Sequence, residues 1–454
     1  MEDKKKERLF SMLEKQGIHK ASKYFEGTYR AKKASYPDIV DVVPGAERIA
    51  TSFGDVVYRR LEVPVSDDPE TPRARGYTLP GEKYIRHLTP AVTGRLADLE
   101  KQISIHDFSF LDIETTGLAG GTGTYPILIG LGRLKEDIFD LEQFFMEDYD
   151  RESAVLSEVQ TRLKDCAGFV TYNGKSFDIP VLASRFTLNR LRIDWEKPHI
   201  DLLHLVRRLW KGTLSVCSLD SVESNILGIR RLHNIEGAMI PAAYFDYVRR
   251  REPSLMALAF DHNAQDVISM ASILARIAYY YQHPEDDEVA DTLSQLGLSK
   301  LYERHGDIPH YLESMERALF YCSERKKSYT LSCHIARIYK RLGRWDSAIE
   351  IWQSYINSNT IYTLEPFVEM AKYFEHQARE HGRAIKIVQR AIELLDERRD
   401  LDFLLGTAVP FEAEKIFEEL TYRLTRLKRR IGTEIDNTLS EEEEDEDKDF
   451  SEEP

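Results

Sequence analysis

The sequence predicts an α/β fold, a mixed sheet flanked by helices, joined to a C-terminal all-α region. Three observations lead there. Strand-like apolar runs occupy Phe108–Glu114, Pro126–Leu131, Leu141–Phe145 and Gly168–Tyr172. Helical patterns at Ser153–Leu163, Ile179–Leu188, Asp201–Trp210 and Asp266–Tyr281 alternate with the later strands, and that order suggests one sheet covered by helices. From residue 287 to 431 the chain reads as helix after helix.

Taken in order, the chain falls into five stretches. Residues 1–30 carry one short amphipathic helix pattern, with Leu9, Met12 and Leu13 at helical spacing. Residues 31–103 form an irregular, part-β leader in which Thr51–Tyr58 reads as a turn feeding a short strand. Residues 104–282 hold the α/β pattern. Residues 287–431 contain a weak repeat. Leu301-Tyr302-Glu303-Arg304-His305-Gly306 matches Ile338-Tyr339-Lys340-Arg341-Leu342-Gly343 at an offset of 37, and Ala336 recurs as Ala371 and Ala348 as Ala384. A period near ~34 with Tyr, Gly and small Ala positions resembles tetratricopeptide (TPR) repeats, which would recruit a protein partner. Residues 432–454 form an acidic tail, with seven consecutive carboxylates at 441–447, expected to stay disordered and solubilising.

Composition excludes several classes. At 42% hydrophobic and 10% aromatic, the 454 residues can build real cores, so the chain is not disordered throughout. No apolar run approaches the ~18 residues of a membrane span. The start, Met1-Glu2-Asp3-Lys4-Lys5-Lys6-Glu7-Arg8, is charged and leads into no apolar segment, so no secretory signal is expected. Four scattered cysteines (Cys166, Cys217, Cys322, Cys333) form no CxxC, and a reducing, cytoplasmic setting fits. The net charge of −15 includes −9 between Glu441 and Pro454. It therefore says little against a nucleic-acid partner, since one basic groove matters more than the sum.

Three motifs carry the chemistry. In Phe110-Leu111-Asp112-Ile113-Glu114-Thr115-Thr116-Gly117-Leu118, Asp112 and Glu114 are two apart on a strand and share a face. Paired carboxylates repel unless a cation neutralises them, and oxygen donors favour Mg²⁺ or Mn²⁺ over zinc. Tyr172-Asn173-Gly174-Lys175-Ser176-Phe177-Asp178 follows an apolar strand and puts Asp178 at the start of a helix. In His262-Asn263-Ala264-Gln265-Asp266, His262 and Asp266 are four apart and share one helix face. Each alone has a bland reading: a solvated strand edge, a loop, a surface histidine.

The ordered set resembles the DEDD superfamily of 3′→5′ exonucleases with a ribonuclease H-like fold. The stretch Ile240–Tyr247 before the third motif resembles a bacterial subgroup, the YprB-like ribonuclease H-like domains. The resemblance covers residues 104–282. It implies that Asp112, Glu114 and Asp266 bind a first divalent ion, that Asp112 and Asp178 serve a second, and that His262 orients or deprotonates the attacking water. Thr115, Thr116, Gly117, Leu118 and Asn173 would seat the terminal nucleotide of a single-stranded DNA or RNA 3′ end. The histidine subgroup places four residues between its histidine and aspartate, whereas here there are three, as in the tyrosine subgroup. If that phase turned His262 away, Asn263 or no side chain would replace it.

Two decoys fail. Gly174-Lys175-Ser176 mimics the end of a P-loop, but Phe169 stands where the first glycine belongs. Gly120-Gly121-Thr122-Gly123 precedes a strand-like run rather than a helix, and reads as a hairpin turn. Basic clusters at Arg207-Arg208 with Lys211, at Arg230-Arg231 and at Arg249-Arg250-Arg251 read individually as solvated helix faces. A non-catalytic nucleic-acid-binding scaffold with TPR-mediated protein recruitment is the alternative to an enzyme. Retention of all four carboxylates argues against it, because paired buried charges without a metal cost stability.

Overall fold

The computed structural model describes residues 36–66, 79–80, 104–117, 123–135, 138–231, 235–358, 363–405 and 415–431. The amphipathic pattern within 1–30, Leu118, most of the glycine cluster at 120–123 and the acidic tail lie outside them. The chain divides into two compact units, one ending at Tyr311 and the other beginning at Leu312.

The first unit is built on the expected mixed sheet. Its strands are β1 (Ala46–Thr51), β2 (Gly54–Ser66), β3 (Leu79–Pro80), β4 (Phe108–Thr115), β5 (Pro126–Lys135), β6 (Ile138–Phe145), β7 (Gly168–Thr171) and β8 (His199–Asp201). They run in the order β1–β2–β6–β5–β4–β7–β8, with β3 pairing beside β2. Pairing is antiparallel from β1 to β4 and parallel from β4 through β7 to β8. The sheet reaches further into the leader than the sequence suggested. β2 is 13 residues long and pairs with β6 from Val57 to Pro64. Its apolar alternation is interrupted by Arg59, Arg60 and Glu62, so only the short strand feeding into Tyr58 is legible. In the fold Arg59 is 6% exposed and its Nη1 bonds Asp261 Oδ1 at 2.9 Å, while Arg60 Nε bonds Asp140 Oδ1 at 2.6 Å.

Helices α1 (Glu152–Leu163), α2 (Asp178–Leu188), α3 (Leu202–Trp210), α4 (Ile240–Arg250) and α5 (Ser254–Gln282) surround this sheet. Leu111 and Ile113 alternate with Asp112 and Glu114, and join Val155, Leu156, Val181 and Leu182 in one buried core. Helix α5 starts twelve residues earlier than the apolar pattern suggested, so the whole third motif is helical. It packs on β4, β5 and β6, and two glycines of β5 make that possible. A Cβ on Gly130 would lie 2.4 Å from Asn263 Oδ1 and 2.9 Å from Val267 Cγ2, and one on Gly132 would lie 2.8 Å from Val267 Cγ1. Gly130 sits opposite Asp112 in the β4–β5 register. Helix α6 (Thr292–His305) packs beside α3 and ends at Gly306, whose φ of +77° is left-handed.

The second unit is all-helical, with α8 (Arg325–Arg341), α9 (Trp345–Asn357), α10 (Glu365–His376), α11 (His381–Leu405) and residues 415–431 following α7 (Ile308–Phe320), which crosses the boundary. The recurring alanines Ala336, Ala348, Ala371 and Ala384 are all fully buried, letting neighbouring helices approach closely. Gly343, after α8, takes a left-handed φ of +75°, the same ending that Gly306 gives α6. No described helix is long and apolar enough to cross a membrane, and the four cysteines are unpaired.

Gly130→Ala should push Asn263 and α5 off the sheet and cost about 1–3 kcal/mol by urea unfolding. Gly123→Ala, where an added Cβ meets nothing within 4 Å, should be near neutral by the same measurement. Equal midpoints for the two variants would show that α5 yields without strain.

Candidate active site

Three elements converge at the C-terminal end of β4. Asp112 and Glu114 project from one face of that strand, as the two-residue period requires. β7 covers the neighbouring edge only as far as Phe110, which pairs with Val170. Beyond it the Ile113 N–H has no strand to bond, and Asp178 Oδ1 accepts from it at 3.1 Å. That bond draws the first residue of α2 to β4. From α5, Asn263 Nδ2 donates to Asp112 Oδ2 at 2.8 Å, and Gln143 Nε2 holds Asn263 Oδ1 at 2.8 Å. Its neighbour His262 places Nε2 3.7 Å from Glu114 Oε1 and 3.4 Å from Asp266 Oδ2. The three-residue spacing therefore turns His262 toward the carboxylates, and Asn263 does not take its place.

The electrostatics are those of a site that attracts cations. Burial first, then the charges of Asp266 and Asp178, push the Asp112 carboxyl well above the usual range, against the pull of its Asn263 hydrogen bond. Burial first, then Asp112, Asp266 and Asp178, do the same to Glu114. Burial lifts Asp178 to about 7, against the backbone N–H groups that stabilise its anion. Burial acts to raise Asp266 too, but the His262 hydrogen bond and the Arg231 charge outweigh it and hold that carboxyl low. The side chains of Glu114, His262 and Asp266 remain 12–15% exposed, so a ligand can reach them. One ligand atom from each lies within 4.8 Å of the others, a span one ion can bridge. Hard oxygen donors with one imidazole, mutually repelling when ionised, fit a divalent cation such as Mg²⁺ or Mn²⁺.

Arg231 is the residue that sequence reasoning missed. Read as part of a solvated basic pair, it is in fact 9% exposed at its side chain. Its guanidinium bonds Glu223 at 2.5 and 2.7 Å, ion-pairs with Asp266, and lies 3.3 Å from His262 Nδ1. A guanidinium only donates, so Nδ1 accepts and a neutral His262 carries its proton on Nε2, facing Glu114 and Asp266. No helical spacing links Glu223 to Arg231. A π-turn, Glu223–Leu227, and the left-handed Gly228 bring them together. Asp201 was also missed. It is 5% exposed and accepts from the N–H groups of Asn173 at 2.9 Å, Lys175 at 3.1 Å and Leu203 at 3.1 Å, so it caps α3 and fixes the second-motif turn at once. Arg249 and Arg250 pair with Asp246, and Arg251 with Asp148.

The residues expected to seat a nucleotide are placed less directly. Thr115 Oγ1 donates to Gly117 O at 2.8 Å, and Thr116 Oγ1 accepts from Tyr125 N at 3.0 Å, so both hydroxyls shape the turn after β4. A Cβ on Gly117 would meet nothing within 4 Å among the described residues. Asn173 is exposed at a left-handed φ of +66°, beside the second motif rather than among the carboxylates.

Comparison with known proteins agrees with this architecture. A family model, RNase_H_2 of the RNase_H superfamily, matches residues 109–278. The chain is 32% identical over 327 residues to the uncharacterised protein YprB of Bacillus subtilis (strain 168), covering 71% of this chain and 75% of that protein. The chain belongs to the YprB family. Its sheet unit is thus an RNase H-like domain of a YprB-family protein, and the site lies inside the matched segment. The chain also aligns with a family B DNA polymerase from the hyperthermophilic archaeon Pyrobaculum calidifontis, at 17% identity and a TM-score of 0.32. It covers 46% of this chain but spans only 28% of the polymerase, a likeness too distant to bear on the site.

Arg231→Ala should leave Glu223, 1% exposed, as an unpaired buried charge and cost about 3–5 kcal/mol in urea unfolding. Removing both charges with Arg231→Met and Glu223→Gln should recover most of that loss. A single variant as stable as the parent would show that this pair does not hold the 223–231 segment in place.

Proposed function

We propose that the chain is a metal-dependent nuclease that hydrolyses phosphodiester bonds 3′→5′ at single-stranded nucleic-acid ends. One observation carries this reading: Asp112, Glu114, Asp178 and Asp266, from three motifs spread over the sequence, meet in one mostly buried cluster with His262 among them. Membership of an RNase H-like superfamily supports it at the level of nuclease chemistry.

Asp112, Glu114 and Asp266 would hold one divalent ion, and Asp112 with Asp178 a second. Bound there, such ions would supply Lewis acidity toward the attacking water and the leaving oxygen. The chain's own contribution is positioning. Ile113 N–H fixes Asp178, and Asn263, itself held by Gln143, fixes Asp112. His262 would orient the attacking water. To accept its proton through Nε2, His262 must first shift its own proton to Nδ1, which requires releasing Arg231. Gly117, the neighbouring turn and Asn173 would receive the terminal nucleotide. The helical unit, with its buried alanine positions, would recruit a protein partner in the manner of TPR repeats, in the cytoplasm.

A second reading, a nucleic-acid-binding scaffold without catalysis, draws on Arg231, which supplies a cation to the cluster without any metal. One guanidinium among Asp112, Glu114, Asp178, Glu223 and Asp266 leaves most of the charge uncompensated, which favours the enzyme.

The test is degradation of 5′-labelled DNA and RNA oligomers with Mg²⁺ or Mn²⁺. A ladder shrinking from the 3′ end is expected, lost in chelator and abolished by Asp112→Ala. His262→Ala should slow it by about 10²–10⁴. Degradation indifferent both to chelator and to Asp112→Ala would sink the proposal.

A further inference from the structure

A basic groove opens beside the second motif and has no part in the carboxylate cluster. One wall is the outer face of α3, which presents the exposed side chains of Arg207 and Lys211. The other is the segment after α3, from Leu214 to Leu219, where Val216 is 61% exposed. Tyr172 and Asn173 line its inner end. The two walls are tied together: Tyr172 Oη donates to Cys217 O at 2.8 Å, and Asp201 bonds both the Asn173 N–H and the first turn of α3. The cleft holds about 700 Å³, within the ~300–1,000 Å³ of ordinary ligand clefts.

Its position relative to the cluster follows from the sheet. β4 and β7 are adjacent and parallel, with Phe110 opposite Val170. Tyr172 directly follows the last residue of β7, so the groove begins at the same end of the sheet as Asp112. Arg207 and Lys211 have no carboxylate partner among the described residues, in a chain with 77 acidic and 62 basic side chains. In the other basic clusters of this unit, Arg231 is spent on Glu223 and Asp266, Arg249 and Arg250 on Asp246, and Arg251 on Asp148. Being four apart, Arg207 and Lys211 are displaced about 6 Å along the helix axis, comparable to the step between neighbouring phosphates of one extended strand.

We propose that this groove is the track of the substrate strand, with Arg207 and Lys211 on successive phosphates of single-stranded nucleic acid leading to the site. The exposed Val216 and the ring of Tyr172 give a base an apolar surface to lie on. The proposal rests on the nuclease reading for its direction, since the strand's 3′ end would lie at the carboxylates, but its binding step needs no catalysis.

The experiment is anisotropy of a 5′-fluorescein-labelled single-stranded oligonucleotide with the full chain, in chelator, across a salt series. Arg207→Ala with Lys211→Ala should weaken binding at least tenfold at low salt. It should also reduce the slope of log K against log salt by about 1.4, two contacts at ~0.7 each. Arg325→Ala with Lys326→Ala, exposed cations on α8, should change neither. If the groove variant matches that control while the parent chain binds and degrades the oligomer, the track is wrong and the nuclease stands. If it weakens binding as stated but the parent never cleaves with Mg²⁺ or Mn²⁺, the track stands and the nuclease reading falls. A parent chain that binds no oligomer at low salt overturns the track as well.

Discussion

Gly130 and Gly132 set the distance between α5 and the sheet, and the geometry of the site depends on that distance. Any side chain at Gly130 would strike Asn263, and at Gly132 it would strike Val267. Asn263 could not then reach Asp112, and the turn of helix carrying His262 and Asp266 would stand away from Glu114. Glycine weakens a strand, and here β5 carries two in its centre. The cost is met by pairing on both sides, with β4 and with β6 along most of its length.

Charge divides the cluster into two unlike halves. Asp266 is compensated by Arg231 and His262 and titrates low. Burial first, then the neighbouring carboxylates, push Asp112 and Glu114 upward, against the pull of Arg231. Arg231 pairs directly with Asp266, and its charge also pulls on Asp112 and Glu114. Fixing Asp178 by a strand N–H and Asp112 by an amide keeps the uncompensated carboxylates from swinging apart to relieve the strain.

What could be read from the sequence was whatever obeys a local period. Asp112 and Glu114 alternate with Leu111 and Ile113, and His262 and Asp266 are one helical turn apart, so their shared faces are visible in the residue order. The mixed sheet was legible for the same reason in β4 to β7. The unread features depend on distant partners. The continuation of β2 past Tyr58 hid behind Arg59 and Arg60, whose carboxylates lie 202 and 80 residues away. Arg231 reaches the cluster through a π-turn and a left-handed glycine that no periodicity announces, and Asp201 shows its worth only through amides on another strand's turn. Asp178 was legible by motif, but the reason for its place, the early end of β7, is a matter of the sheet.

The β1–β2 hairpin lies outside the segment that the RNase_H model matches, yet it shields the outer edge of β6 and reaches the site through Arg59 and Asp261, the neighbour of His262. The matched segment is thus not a free-standing module. A fragment cut at its borders would carry a bare, apolar strand edge, an invitation to aggregate, and a third motif without its buttress. Modularity in this protein follows the whole sheet rather than the motifs, and any recombination or fusion that respects the motifs but not the hairpin divides a single folding unit.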